Sequence, residues 1–313
     1  MASAIHDLNE SWRRESEGTA IIDRLINIAV RDSALRVSVA QSLAAFVRDH
    51  SPSTDTLSKP PEEDELHGSD SLQADFLEKY RTPEVIQYAL RKLGEAPLEG
   101  AAKRGEMLDL RGIVVTQWLA RSKTFRKVDL TDAILYKSSL IGSYFLDCDL
   151  TGTVLSESRM CGATIRGTSL RGARFLYAEL GAAALEAVQL KNAVFDRAFL
   201  QRSTWQSASE AGDARWNGAC IDDIIGPASF VEALRRGGGQ GCGSRVTDHC
   251  AEVVMPPRAL SRSLQIGSFE CISIMGLACV LDASFVPMSS ARRPRRCRAT
   301  DVRRVRHGRQ TPS

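Results

Sequence analysis

Large apolar residues recur at every fifth position through the middle of the chain, from Phe125 to Trp205. Small or β-branched residues stand two positions before these centres, from Val128 to Ser203. With 43% hydrophobic residues overall, seventeen centres in strict register arise by chance roughly once in a million. Neither a helix nor a strand repeats every five residues, so the pattern predicts an architecture of its own. The centres are Phe125, Leu130, Leu135, Leu140, Phe145, Leu150, Leu155, Met160, Ile165, Leu170, Phe175, Leu180, Leu185, Leu190, Phe195, Leu200 and Trp205.

The spacing predicts a square coil. In extended backbone, a large residue and a small residue two positions apart point the same way, into the interior. The other two residues of each repeat turn a corner, where glycine suits a positive φ. Four sides then close one coil of twenty residues, and coils stack at about 4.8 Å. Glycine occupies the second corner position at Gly142, Gly152, Gly162, Gly167 and Gly172.

Three segments carry a recognisable motif: Val128-Asp-Leu130-Thr-Asp, Cys148-Asp-Leu150-Thr-Gly and Thr168-Ser-Leu170-Arg-Gly. They resemble the A(D/N)Lxx pattern of the pentapeptide-repeat family. The resemblance implies a mainly β solenoid, a right-handed quadrilateral β-helix, which we place at residues 107–225. Downstream centres fall one residue out of step, so an extra residue between 207 and 213 is expected to bulge a corner.

Helical segments are predicted on both sides of the solenoid. Apolar positions such as Ile22 and Leu25 predict a helical hairpin over 19–50. Thr82 as the N-cap and Gly94 as the C-terminal stop delimit a helix within a helical leader over 72–106. This leader is similar to one in some actinobacterial members of the family. The leader and a helix over 226–237 are expected to cap the open ends of the solenoid. Residues 1–18 are expected to be a flexible N-terminus, and 51–71 a disordered linker rich in Pro and acidic residues.

Charge is unevenly distributed along the chain, although the formal net charge is only +3. Residues 238–313 are predicted to form a basic, disordered tail. Three interpretations of the tail stay open: a solvated tail, a segment that binds nucleic acid or another anionic surface, and out-of-frame translation. Nucleic-acid binding is expected only through this Arg-rich tail. Without a signal peptide or an apolar run long enough to span a membrane, we expect a cytoplasmic protein.

The sequence contains no catalytic motif that we could identify, so neither enzymatic activity nor a catalytic residue is predicted. The eight cysteines match no metal-ligand spacing, and neither a metal nor a cofactor is expected. The preferred hypothesis is a non-enzymatic protein–protein interaction scaffold. The alternative, taken from the family resemblance, is a DNA mimic that modulates DNA gyrase, a topoisomerase. The solenoid's acidic and basic residues balance, which makes it a poor copy of a polyanion.

Apolar residues at outward positions form a candidate contact stripe on the solenoid. Large exposed apolar patches usually mark interfaces, so the stripe predicts either a homodimer or an unknown protein partner on this face. Two further explanations stay open: the preference of β-branched residues for strand surfaces, and packing of the leader helices on this face. The stripe consists of Ile134, Tyr136, Ile141, Val154, Leu176, Val194 and Phe199.

Overall fold

The computed structural model describes residues 1–52, 54 and 63–243. All of them belong to one compact unit, Met1–Ser261; a second unit, Arg262–Ser313, lies outside the described residues. The predicted basic tail therefore also lies outside them, apart from residues 238–243.

The repeats form a parallel β-solenoid with twenty residues in each coil. Strand residues pair with the residue twenty positions later, as in Phe125 with Phe145. Four sides are distinguished by their outward columns. The strand side carries a five-stranded sheet of β2 (Thr124–Arg126), β4 (Tyr144–Leu146), β5 (Thr164–Arg166), β6 (Ala184–Glu186) and β7 (Thr204–Gln206). The aspartate side pairs β1 (Leu108–Asp109) with β3 (Val128–Asp129).

The two remaining sides are held by single bridges. The strap side runs through the outward column Val114, Ile134, Val154, Arg174 and Val194. The groove side runs through Leu119, Ser139, Arg159, Glu179 and Phe199. The strap side is named after two helices that cover it, and the groove side after a groove that it borders.

All seventeen centres from Phe125 to Trp205 are buried. Aromatic centres stack along the interior, with ring centroids 5.4 Å apart for Phe125 and Phe145 and 4.7 Å apart for Phe175 and Phe195. The first complete coil reverses the size rule. Trp118 fills the position normally taken by a small residue, while Ala120 stands at the centre, and both are fully buried. The reversal keeps the interior filled, because the sum of the two side chains is what each side must accommodate.

Corner residues adopt left-handed backbone, as the glycine pattern predicts. At Gly152 two requirements coincide: φ is +68°, and a Cβ atom would collide with the Asp132 carboxylate of the preceding coil. Several non-glycine residues accept the same conformation, including Asp132 and Tyr177. A conformation that costs a non-glycine residue free energy is thus maintained by the stacking of coil on coil.

The solenoid extends further than predicted. A 3₁₀ turn at Ala211–Asp213 inserts the extra residue: Gln189 pairs with Ser209, but Val194 pairs with Arg215. Coil hydrogen bonds then continue past 225 and past 238, where the tail was predicted to begin. The Gln240 carbonyl accepts from the Ile221 N–H at 3.1 Å, and Gln240 bridges Cys220. The predicted end of the solenoid at 225 and the predicted start of the tail at 238 were therefore wrong. The last coil contains the helix Ala228–Arg236 in place of a strand, and its coil hydrogen bonds resume after that helix.

Seven α-helices surround the solenoid within the described residues. The first twelve residues already contain one, so the prediction of a flexible 1–18 was wrong. Leu8 is buried beside the partly buried Ala4, Ile5 and Trp12, a short helical stripe that joins the main core. The helices are α1 (Ala2–Ser11), α2 (Glu15–Arg31), α3 (Arg36–His50), α4 (Glu63–Gly68), α5 (Asp70–Lys79), α6 (Glu84–Leu93) and α7 (Ala228–Arg236).

The predicted disordered linker is also partly wrong. Helix α4 and the start of α5 lie within 51–71, and Leu66 is buried. The acidic, Pro-rich composition favours disorder, but the buried Leu66 side chain packs this short segment against the solenoid. Residues 53 and 55–62 lie outside the described residues.

Both ends of the solenoid are closed by helices. At the N-terminal end the Gly94 carbonyl, just after α6, accepts from the Thr124 N–H at 3.0 Å. Lys123, which breaks the small-residue rule, pairs with Glu95 there. At the C-terminal end, Phe230 of α7 covers Trp205, with ring centroids 4.9 Å apart. One hydrophobic cluster consequently runs from α1 through every coil to α7.

Candidate functional site

Helices α4 and α5 form what we call the strap, residues 63–80, which lies across the strap side of the solenoid. Its apolar residues Leu66 and Phe76 are buried against Val114, Ile134 and Tyr136. The rings of Phe76 and Tyr136 meet edge to face with centroids 5.8 Å apart. These residues form a hydrophobic cluster distinct from the main core.

A polar network around Glu157 borders this apolar contact. The Tyr136 hydroxyl donates to Glu157 Oε1 at 2.6 Å, and Gln73 Nε2 of α5 donates to the Tyr136 hydroxyl at 2.8 Å. Lys137 Nζ lies 3.4 Å from Glu157 Oε2. The Glu157 side chain is only 14% exposed, and its carboxylate is contacted by Lys137 of the solenoid and by Gln73 of the strap. This arrangement fixes the strap at a defined height along the rod.

An aromatic stack extends the contact from α4 to the next coil. The His67 ring lies parallel to Tyr177 with centroids 3.5 Å apart, and His67 Nδ1 lies 3.2 Å from Glu157 Oε1. The Arg197 guanidinium contacts the Tyr177 hydroxyl and lies 5.2 Å from its ring centroid. His67 thus joins the corner residues of two successive coils.

The C-terminal end of the strap and the residues after it are tied to the first coil by hydrogen bonds between threonine hydroxyls and backbone groups. Thr116 Oγ1 donates to the Tyr80 carbonyl at 2.8 Å, and the Thr116 N–H donates to Thr82 Oγ1 at 3.1 Å. Thr82 was predicted to be the N-cap of α6. Pro83 takes the N-cap position instead, because the Thr82 hydroxyl is committed to the solenoid.

The residues of the predicted contact stripe do not share one environment. The structure covers Ile134 and Tyr136 with the chain's own strap, and Val154 packs partly against the same cluster. For these three residues, packing against the leader is the explanation that the structure supports. Val194 and Phe199 are half-buried beyond the exposed Arg174, and a partner contact there stays a prediction.

Tyr136, Leu176 and Ile141 were wrongly placed on the outer surface. The position after the centre is buried all along the strap side, whichever residue occupies it: Thr116, Ser156 and Asp196 are 2%, 1% and 6% exposed. Ile141 is buried at the equivalent position of the groove side. This position lies beneath the corner in the solenoid, whereas an ideal extended strand would turn it outward.

A groove of about 1090 Å³ opens between the leader helices and the solenoid. One wall comes from the α1–α2 junction and the start of α6, and the other from the strap and groove sides. Leu119 is 55% exposed in it, and its lining includes Trp12 and Val85. Eight charged side chains also line the groove: Arg13, Glu15, Arg81, Glu84, Lys137, Glu157, Arg159 and Glu179.

The groove's charges are not all compensated locally. Glu84 pairs with Arg91 at 2.6 Å, and Glu157 pairs with Lys137. Arg13, Arg81 and Arg159, in contrast, form no ion pair with any described residue. Three arginines without an ion pair therefore line the same opening, and the Arg13 guanidinium lies 5.2 Å from the Trp12 ring centroid.

The aspartate side carries a short acidic ladder. Asp109, Asp129 and Asp149 stand in adjacent coils. Asp109 contacts Arg48 of α3 and lies 2.9 Å from Arg111 Nε. Hydrogen bonds from the Arg111 guanidinium, opposed by partial burial, lower the pKa of Asp109 to about 2. The ladder is thus partly neutralised, and it fastens α3 to the first coil.

The cysteines include a pairing that the sequence spacing did not suggest. Cys220 of the last coil is joined by a disulfide to Cys242, with Cα atoms 5.4 Å apart. Such bonds are rare in cytosolic proteins, and the cytoplasmic location stays a prediction. Cys148 is a free thiol in the interior, and burial raises its pKa to about 11. Because the thiolate is the reactive form of cysteine, the raised pKa keeps Cys148 unreactive. Its side chain fills space in the interior.

Among residues 1–52, 54 and 63–243, no group of three or more His, Cys, Asp or Glu side chains is arranged to hold a metal ion. No helix in the same part of the chain is both long enough and apolar enough to cross a membrane.

The strap and the groove were both missed by sequence reasoning. A signal for the strap existed, because Leu66, Leu72, Phe76 and Tyr80 recur partly at helical spacing after the linker. The groove gave no such signal, since its walls come from segments far apart in the chain.

Twenty-residue coils, interior centres and helical caps define a parallel β-solenoid. A model of the family described as pentapeptide repeats matches residues 138–175, with eight copies. Residues 138–175 are thus pentapeptide repeats. No curated protein matches it significantly.

Solved structures of pentapeptide-repeat proteins show limited similarity to this chain. A protein from the cyanobacterium Cyanothece 51142 is 20% identical over 38% of this chain and 88% of its own, with a TM-score of 0.31. One from the Arabidopsis thaliana thylakoid lumen is 18% identical over 51% of this chain and 95% of its own, at 0.27. QnrB1, a plasmid-mediated fluoroquinolone resistance protein, is 16% identical over 41% and 79%, at 0.23. These scores carry no argument about function.

Proposed function

We propose that this protein is a non-enzymatic interaction scaffold that binds a carboxylate-bearing segment of another protein in the groove. The observation that supports the proposal is the set of three uncompensated guanidinium groups, Arg13, Arg81 and Arg159, around one opening. Arginine binds carboxylates in a planar, two-point geometry that lysine does not reproduce. A segment with acidic side chains therefore fits this lining.

The groove is built to hold an extended ligand in one register. Arg159 stands on the solenoid, while Arg13 lies between α1 and α2 and Arg81 directly follows the strap. A segment bound by all three would bridge the two walls. Glu15 and Glu179 also line the groove, so a polar or basic group opposite them would add specificity. Leu119 and Trp12 offer an apolar contact between the charged groups.

The alternative, a DNA mimic that modulates DNA gyrase, has weaker support. Mimicry needs long rows of uncompensated negative charge. The aspartate ladder continues as Ser169 and Gln189 after three coils, and Arg48 and Arg111 pair with its first member. A gyrase supercoiling assay discriminates between the two: we expect no effect at equimolar protein, and inhibition or protection would favour the mimic.

Site-specific photocrosslinking in the native host tests the scaffold. A photoreactive amino acid at Leu119, inside the groove, is expected to capture one protein reproducibly. The same amino acid at Tyr144, which is 45% exposed on the strand side, is the matched control and should not capture that protein. Arg159→Glu should abolish the Leu119 crosslink. Equal capture from both positions, or capture that survives Arg159→Glu, would count against the groove.

A further inference from the structure

The strap is attached to the solenoid separately from the rest of the leader. Buried residues of α1, α2, α3 and α6 all belong to the main core, whereas Leu66 and Phe76 of the strap belong to the second cluster. The strap therefore packs on a surface that is already formed by other parts of the chain.

That surface does not need the strap to complete its backbone hydrogen bonds. The Ile134 N–H donates to the Ile113 carbonyl at 2.8 Å, and the Val154 N–H donates to the Ala133 carbonyl at 2.8 Å. The carbonyls of Ile134 and Val154 likewise accept from the N–H groups of Val115 and Leu135 in the preceding coil, each at 2.8 Å. Removing the strap would expose apolar side chains but would leave these backbone groups paired.

The contact made by α5 has the form of helix recognition. Phe76 supplies the aromatic anchor against Tyr136, and Tyr80 packs at the edge of the same cluster four residues later. Gln73, one turn before Phe76, reaches Tyr136 and Glu157. Anchors at i and i+4 with a polar group at i−3 are typical of an amphipathic helix docked on an apolar face. Leu72 is 47% exposed.

We propose that the strap face, formed by Val114, Ile134, Tyr136 and Val154, is a docking surface for an amphipathic helix of a partner protein, and that the strap occupies it in competition. The preferred partner helix carries two aromatic or large apolar residues four apart, preceded by an amide that reaches Tyr136 and Glu157. The strap is held by few buried residues, but its covalent link gives it a high effective concentration. A free helix consequently binds well only when the strap has been released. This inference shares with the proposed function the premise that the solenoid binds protein, and Glu157 borders both sites, but the inference does not depend on Arg13 or Arg159.

The test uses a fluorescent synthetic peptide of residues 66–81 as the probe and the full-length chain as the receptor. Phe76→Glu in the receptor should release the strap, and fluorescence anisotropy should then show at least tenfold tighter peptide binding than to the wild type. Leu72→Glu adds the same charge on the exposed face of α5 and should behave like the wild type. Adding Ile134→Glu to Phe76→Glu should abolish binding, because it damages the surface itself.

Each further outcome decides the matter. Phe76→Ala provides a milder release if Phe76→Glu loses its circular dichroism signal. A peptide that binds neither released variant, or that binds the wild type equally tightly, overturns the proposal. Sedimentation would reveal a released variant that dimerises and excludes the peptide; a second copy would then be the occupant, and the partner helix would be rejected. Because the Leu119 crosslink is measured in the wild-type protein with the strap in place, its outcome does not depend on the peptide result, and the two failures are distinguishable.

Discussion

The main core and the strap cluster differ in the way they are connected to the chain. The main core is one cluster that includes helices of the leader, every coil of the solenoid and Phe230 of α7. The strap cluster joins two short helices to the outside of three coils. The difference indicates that leader, coils and C-terminal helix unfold together, whereas the strap can leave while the rest stays folded. The four predictions below test this distinction, from the largest expected effect to the smallest.

Damage inside a coil should affect the whole molecule. Leu155 is fully buried in the middle of the stack, so Leu155→Ala is expected to cost about 2–5 kcal/mol of unfolding free energy. Leu155→Asp would bury an unpaired charge and should abolish folding. Urea unfolding followed by circular dichroism measures both changes. Thr164→Ala, on the half-exposed strand side, is the control and should change little; a well-folded Leu155→Asp protein would refute the interior assignment.

Damage to the C-terminal cap should begin locally and then spread. Phe230→Ala removes the ring that covers Trp205 and Trp216, with an expected cost of about 2–4 kcal/mol. Hydrogen exchange should accelerate first in residues 228–236 and next in the last coil. Ser229→Ala changes a neighbouring residue of α7 and serves as the control. Unchanged protection of α7 in Phe230→Ala would show that this contact does not hold the cap.

Damage to the strap face should leave the coils intact. Ile134→Glu combined with Val154→Glu is expected to detach the strap and expose residues 63–81 to proteases. Since the main core does not include these two residues, the urea midpoint should fall by much less than for Leu155→Ala. Val194→Glu, in the same column but beyond the strap, provides a matched comparison. A double variant with a wild-type proteolysis pattern would argue against strap docking at these residues.

The smallest effect concerns pH. The pKa of Asp109 is lowered from 3.8 to about 2 in the folded protein, so ionised Asp109 stabilises the fold above pH 4. That contribution should disappear as the pH falls from about 4 to 2. We expect about 0.5–1 kcal/mol, because the side chain is partly exposed and screened by solvent. Asp109→Asn should flatten the pH dependence in this range, whereas Glu186→Gln, which removes an exposed carboxylate, should not. Parallel curves for all three proteins would contradict the assignment.

The solenoid interior was predictable because its period is strict and local. Each side is specified by one large and one small residue within a single repeat, so Phe125 and Leu155 could be placed without knowledge of any distant contact. Even the irregular corner near Ala211 was visible as a shift of register. The two caps followed from the general need of a solenoid to cover its ends.

The strap and the groove were not predictable because they depend on contacts between distant residues. Gln73 meets Glu157 across 84 positions, and no local pattern encodes that pairing. Thr82 fits an N-cap by residue type, yet its hydroxyl accepts a hydrogen bond from the Thr116 N–H of the solenoid instead. Tyr136 was misplaced for a related reason: the corner geometry of stacked coils, and not the alternation of an isolated strand, decides which positions are covered.

The twenty-residue repeat also makes the length of the molecule adjustable. Every coil between the strap and the 3₁₀ turn at Ala211–Asp213 pairs with its neighbours through the same register. Duplicating residues 181–200 should therefore move the C-terminal helix about 4.8 Å further from the groove without altering either end. The number of coils therefore sets the distance between α7 and the groove, in steps of one strand spacing.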